Sequence, residues 1–420
     1  MNKSLVMMNL KYGTVTDLNQ KDQFIELLEI NIPQTLYTEQ KQFNINFICP
    51  KYLCIKNSTI VNLQPFRYLH DLTSLNLSQN EIYDVSALQY LVNLVKIDVS
   101  ENYIVDISPF SKCLQLKDID VSNNIIDSVA QLSSLNNIEK LDISWNRIES
   151  ISDLVHLTNI QVINASANKI QDLNVLSNLI NLLDINFDDN RNISDLQPIS
   201  NLNKLERIDL RFSQVKDLSI LSNLLQLQRL VFENCQIQDL SVVIKFDQLS
   251  TLIACDGDIS DITSLRYLKQ LTHIDLSNNN IIDISPIGHL KDFNVVNLAL
   301  NNIIDVSHLK GLKQLSELYL TENYIIDLSP VQQYSDIHQF EIEDQYEPTK
   351  EILLMFNKIS QIHASMKQLH KVKKQITQNR FRTGLQPFQS KFNSEMNQVL
   401  SKLNYSVELL INFINLDSVI

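Results

Sequence analysis

The chain has 420 residues, 44% of them hydrophobic, with 48 Asp and Glu against 35 Lys and Arg and a net charge of −13. Such an acidic balance excludes a general nucleic-acid binder, which needs a basic surface to displace counterions. The charge is uneven: residues 347–420 carry ten Lys and Arg against five Asp and Glu, so +5, which leaves −18 for everything before them.

Residues 1–49 are expected to form an N-terminal cap, with KDQFIELLEI as a short helix. The N-terminus has no secretory apolar core, and no later segment reaches about 18 consecutive apolar residues, so no membrane insertion is expected. Five cysteines (Cys49, Cys54, Cys113, Cys235, Cys255) are an odd number without framework spacing, which suits free thiols in a reducing compartment. The expected location is cytoplasmic, with the nucleus as an alternative.

From 50 to 346 one pattern dominates. Twelve successive units start at Leu72, Leu94, Leu116, Ile138, Ile160, Leu182, Leu205, Leu227, Leu249, Leu271, Phe293 and Leu315, all of 22 residues except the sixth, which has one more. Two frayed units flank them, starting at Pro50 and Ile337. Each unit changes period midway. In LTHIDLSNN, Ile274 and Leu276 alternate with polar residues, as in a half-buried strand, whereas Ile281, Ile284, Ile287 and Leu290 recur at threes, as in 3₁₀ turns. No such unit buries its apolar side alone, so stacking is required, with all strands parallel.

Asn fills the ninth place of most units (Asn80, Asn102, Asn124, Asn146, Asn168, Asn190, Asn279, Asn301, Asn323), where an amide that donates and accepts satisfies the turning backbone. Cys235 is a tolerated substitute there, and Ser213 and Gly257 weaken the ladder. Asp at the thirteenth place, mostly with Ser or Thr two residues on, is read as capping the return segment rather than as a metal array.

Units such as LTSLNLSQNEIYDVSALQYLVN resemble leucine-rich repeats of 22 residues, most like those of the regulatory subunit of type-1 protein phosphatase and, more distantly, the internalin repeat domains. The resemblance implies an α/β fold: a curved solenoid with a parallel concave β-sheet and short 3₁₀ or helical segments on the convex side. It also implies a partner on the concave face, with a type-1 phosphatase catalytic subunit as the named candidate.

On that face the fifth place of each unit is expected to look outward. Asp98, Asp120 and Asp142 there make an acidic stripe, and Val231 and Ile253 occupy the same place further on. Trp145, the only Trp, and Phe212 share an eighth place that is mostly polar elsewhere. Tyr103 and Tyr324 sit just past the Asn, and Tyr319 lies on a strand. Arg207, Arg211 and Arg229 surround Phe212 in a region that also holds the extra residue and the weakened ladder. Aromatics and Arg are enriched at interface hot spots, so these eight aromatics and arginines, together with the three Asp of the stripe, are the candidate partner-binding set.

Residues 347–420 read as two amphipathic helices in a hairpin, broken at Gly384 and Pro387. They are expected to cap the solenoid, or else to form a homodimer through a coiled-coil-like seam. A basic cluster runs from His370 to Lys374 with Arg380 and Arg382. No catalytic constellation, phosphate loop or metal-ligand spacing is present, so no cofactor is expected and the protein reads as a non-catalytic scaffold. Cys235 should point inward and Cys255 outward, which argues against a shared metal. The alternatives are a secreted, adhesin-like repeat protein and an enzyme with its chemistry in the C-terminal segment.

Overall fold

The computed structural model describes residues 51–347 and Asn357. Apart from that one residue, the expected N-terminal cap and the C-terminal helical hairpin, with its dimer seam and basic cluster, lie outside the described residues.

Every repeat forms one coil of the same kind. A three-residue strand opens it, the chain turns, and a 3₁₀ turn of three to five residues brings it back. The strands run from Tyr52–Cys54 to Gln339–Glu341, are parallel, and follow one another in chain order. Two compact units divide them: eleven strands, ending with His273–Asp275, belong to the first, and the three from Val295–Asn297 onward belong to the second. Register is one repeat to the next, so Leu75 sits opposite Ile97 and Ile97 opposite Ile119.

The core results from the change of period. The coil that starts at Leu94 sends Leu94, Ile97, Val99, Ile104, Ile107, Phe110 and Cys113 inward, each with no accessible surface. At roughly 1.5–3 kcal/mol for each fully buried large apolar side chain, this packing is the main force that stacks one coil on the next. The spacing of three along the return segment becomes 3₁₀ rather than α-helix because a coil of this length leaves room only for short, tight turns.

Polar residues govern the turns. Asn102 donates from Nδ2 to the carbonyls of Leu77, Val99 and Ser100, each at 3.0 Å, and its Oδ1 accepts the Ile82 amide at 3.0 Å. One buried amide thus closes its own coil and ties it to the coil before. At the thirteenth place the Asp side chain accepts the amide two residues on, as Asp84 does from Ser86 at 2.8 Å and Asp305 from Ser307 at 2.8 Å. These carboxylates are turn caps.

The eighth place of each coil takes a left-handed backbone, with φ between 50° and 58° at fourteen residues, none of them glycine. Asn and Asp tolerate this well, and other side chains cost about 1–2 kcal/mol there. The extra residue of the sixth unit is absorbed between Asn190 and Ile193, whose amide donates to the Asn190 carbonyl at 3.1 Å.

Replacing Asn102 with Ala removes four hydrogen bonds and strands buried carbonyls, so stability to urea should fall by about 1–3 kcal/mol. An unchanged unfolding midpoint would contradict the ladder.

Candidate functional site

The acidic stripe is real and in register: Asp98 lies opposite Asp120, and Asp120 opposite Asp142, on adjacent strands. Each carboxylate is half-buried and accepts both the backbone amide and the hydroxyl of the Ser two residues on, at 2.6–3.1 Å. The stripe is closed at both ends by amides. Asn76 donates to Asp98 at 2.6 Å, and Asn164 donates to Asp142 at 2.8 Å. Among the described residues, Asp120, in the middle, receives no such amide. Burial raises its pKa above the ordinary carboxylate value, Asp98 and Asp142 push the same way, and the two Ser122 bonds oppose them. A carboxylate held this way gains from the arrival of a cation. Lys96 does not supply it, being committed to Asp118 at 2.6 Å, the bond that chiefly raises its own pKa.

Trp145 stands at the exit of the strand that carries Asp142 and leaves its ring in water, 66% exposed at φ 53°. A large aromatic thus sits in a left-handed place where Asn or Asp would be more comfortable. Phe212 holds the same place at φ 54° but is half-buried. Tyr103 is 57% exposed. Tyr319 and Tyr324 belong to the second unit; the Tyr319 hydroxyl donates to Glu317 at 3.1 Å, and the Tyr324 ring meets Tyr346 at 5.7 Å.

The three arginines differ. Arg211 is gripped by both Asp209 oxygens at 3.0 Å and by Asp188 at 3.1 Å, which makes it an internal clamp. Its pKa is raised, chiefly by the Asp209 bond. Arg207 pairs with Asp184 at 3.0 Å and is half-exposed. Arg229, opposite Arg207 on the next strand, is exposed and has no ion pair among the described residues.

Two expectations fail in this region. Val231 does not look outward: it is 1% exposed, set between Asp209 and Ile253 of the adjoining strands, where an apolar side chain gains by leaving water. Cys255 is buried as well, being 9% exposed, and burial with three nearby carboxylates pushes its thiol up to about 12. Instead it meets Glu233 and Asp256, whose ligand-capable atoms lie within 4.8 Å of its sulfur and of each other. Cys235 is buried as expected, donating to the Leu210 carbonyl at 3.4 Å. One sequence signal marks the place. The seventh position is Ser in five successive coils, from Ser78 to Ser166, and then becomes Asp188, Arg211, Glu233 and Cys255.

A depression of about 390 Å³ lined by Asn201, Asn203, Asn223, Leu225 and Gln226 contains no titratable side chain, so it offers no acid, base or nucleophile. Among the described residues no helix is long and apolar enough to cross a membrane.

Because the folded protein holds the Asp120 proton more tightly than the unfolded chain does, Asp120 weakens the fold as pH rises through the window above the ordinary carboxylate pKa. Asp120→Asn keeps an acceptor for Ser122, as Asn164 does for Ser166. The variant should therefore melt higher than wild type at pH 7, with the gap closing as pH falls through the carboxylate range. A gap that is constant with pH would contradict the assigned burial.

No protein-family model matches the sequence, and a search of curated proteins finds no match. Solved structures do match. An internalin, InlF of Listeria monocytogenes, is 27% identical over 70% of this chain and 87% of its own, with a TM-score of 0.66. A leucine-rich-repeat protein of Leptospira interrogans is 22% identical over 68% of this chain and 75% of its own, at 0.61. The plant peptide hormone receptor RGFR1, solved in complex with RGF2, is 18% identical over 68% of this chain and 53% of its own, at 0.52. Repeat by repeat and strand by strand, this chain has the leucine-rich-repeat solenoid fold, α/β in class, with a parallel sheet and 3₁₀ return segments.

Proposed function

We propose that this protein is a non-catalytic interaction scaffold that takes a protein partner on its strand face, with Trp145 as the anchor and Asp98, Asp120 and Asp142 as the docking stripe. The observation that carries the reading is the exposed Trp145 ring, set in a left-handed place at the end of a stripe whose central carboxylate makes no ion pair among the described residues. Desolvated aromatics dominate interface energies, and charge complementarity steers the approach of a partner. A basic segment carrying Lys or Arg beside an apolar residue fits this chemistry. Arg229 and Phe212 extend the face in later coils, while Arg211 stiffens it from within.

Among proteins of this fold, the RGFR1 structure holds a partner, RGF2, which is a property of that receptor. For this chain the specific partner we favour is the catalytic subunit of a type-1 protein phosphatase, and the four free thiols among the described residues, three of them buried, favour a reducing, cytoplasmic setting. The likeness to InlF supports a second reading, a secreted or surface repeat protein of adhesive function.

The tagged protein, purified from its own cells beside a Trp145→Gly variant and an Asp98→Asn, Asp120→Asn, Asp142→Asn triple variant, separates these readings. Glycine suits the backbone at 145, so that variant should fold as well as wild type yet bind its partner on the order of thirtyfold more weakly, the equivalent of about 2 kcal/mol. Equal recovery of the partner by all three proteins would place binding off this face. Direct titration with a type-1 phosphatase catalytic subunit tests the named partner, and detection outside cells would favour the second reading.

A further inference from the structure

The coils that depart most from the repeat carry an arrangement that the interaction role does not use. In the regular coils the seventh-place Ser is occupied, its hydroxyl donating to the Asp two residues before it, as Ser100 does to Asp98 at 2.7 Å. In the coils that start at Leu227 and Leu249, the fifth place is Val231 and Ile253, so the seventh-place side chains Glu233 and Cys255 find no polar partner there. Parallel register sets the two side by side, and Asp256 comes next at φ 54° with its backbone direction fixed.

The Cys255 thiol is 9% exposed, and among the described residues no other residue hydrogen-bonds its sulfur, whereas Cys113 and Cys235 donate theirs to the Leu88 and Leu210 carbonyls at 3.4 Å. It is aimed instead at two carboxylates. Arg211, whose charge acts on Glu233, is itself held by Asp209 and Asp188. The site is built for positive charge.

We propose that Glu233, Cys255 and Asp256 bind a borderline-soft divalent cation of the zinc type. The three ligand atoms lie within 4.8 Å of one another, which small rotations about side-chain bonds convert to a shared ion. One thiolate with two carboxylates is a donor set for Zn²⁺ rather than for Ca²⁺ or Mg²⁺, which take oxygen ligands alone. As the metal–sulfur bond forms, the S–H bond breaks and its proton leaves to solvent; no electron is transferred. Three protein ligands leave a fourth tetrahedral position for water or for a group from a partner.

Cobalt(II) is the probe, since thiolate coordination gives an ultraviolet charge-transfer band that carboxylates alone do not. The full chain, kept reduced, should show one equivalent of that band, displaced by Zn²⁺ and not by excess Mg²⁺. Cys255→Ser restores the residue that neighbouring coils carry, so it should melt as wild type does and lose the band. Glu233→Gln should weaken Co²⁺ binding, and Cys54→Ser should leave it unchanged. Absence of the band from the wild type, its survival in Cys255→Ser, or its loss in Cys54→Ser would overturn the site.

Discussion

One hydrogen-bonding problem governs this molecule. Each coil must bend inward after a three-residue strand, and at that bend the backbone loses its strand partners. A buried Asn amide resolves it in most coils by donating to three carbonyls and accepting one amide, as Asn168 does with Ile143, Ala165, Ser166 and Ile148. Because the acceptor and donors belong to two coils, no coil is complete without its neighbour, and apolar packing and amide bonding enforce the same stacking. In the last described coil Gln345 does the same work, donating to the Leu320 carbonyl at 2.8 Å and accepting the Ile325 amide at 3.1 Å.

The same constraint explains where the chain is irregular. Ser213, Cys235 and Gly257 stand in three successive coils where Asn would stand, and among the described residues nothing accepts the Val215 or Ile237 backbone amide. Around these coils sit the Arg211 clamp, the buried Val231 and the Glu233, Cys255 and Asp256 cluster. Local rules broken together in one place, within an otherwise self-consistent repeat, are what a site imposes on a scaffold. The acidic stripe differs, since Asp98, Asp120 and Asp142 keep every rule of the repeat and offer charge without disturbing the fold.

Much of the architecture was legible in the sequence because a period of 22 residues repeats each signal many times. The alternation at Ile274 and Leu276, the spacing of three from Ile281 to Leu290, the Asn ladder and the Asp caps each predict what is observed. What was not legible depends on neighbours across coils. Alternation places Val231 and Cys255 outward, yet the side chains beside them on adjoining strands decide that both are buried. Likewise Arg211 reads as a free anchor until Asp188 and Asp209 are seen to converge on it. The acidic stripe was legible, but not that Asn76 and Asn164 close its ends and leave Asp120 as the open carboxylate.

Hydrogen–deuterium exchange resolved to single amides tests the central claim, that the Asn ladder holds the coils and lapses at the irregular ones. The amides of Ile82, Ile104, Ile126 and Ile148, each accepted by the Asn of the next coil, should exchange slowly. Those of Val215 and Ile237, buried at their side chains to the same degree but without an acceptor, should exchange far faster. Equal protection at all six would mean that packing alone holds the solenoid, and that the missing asparagines mark nothing.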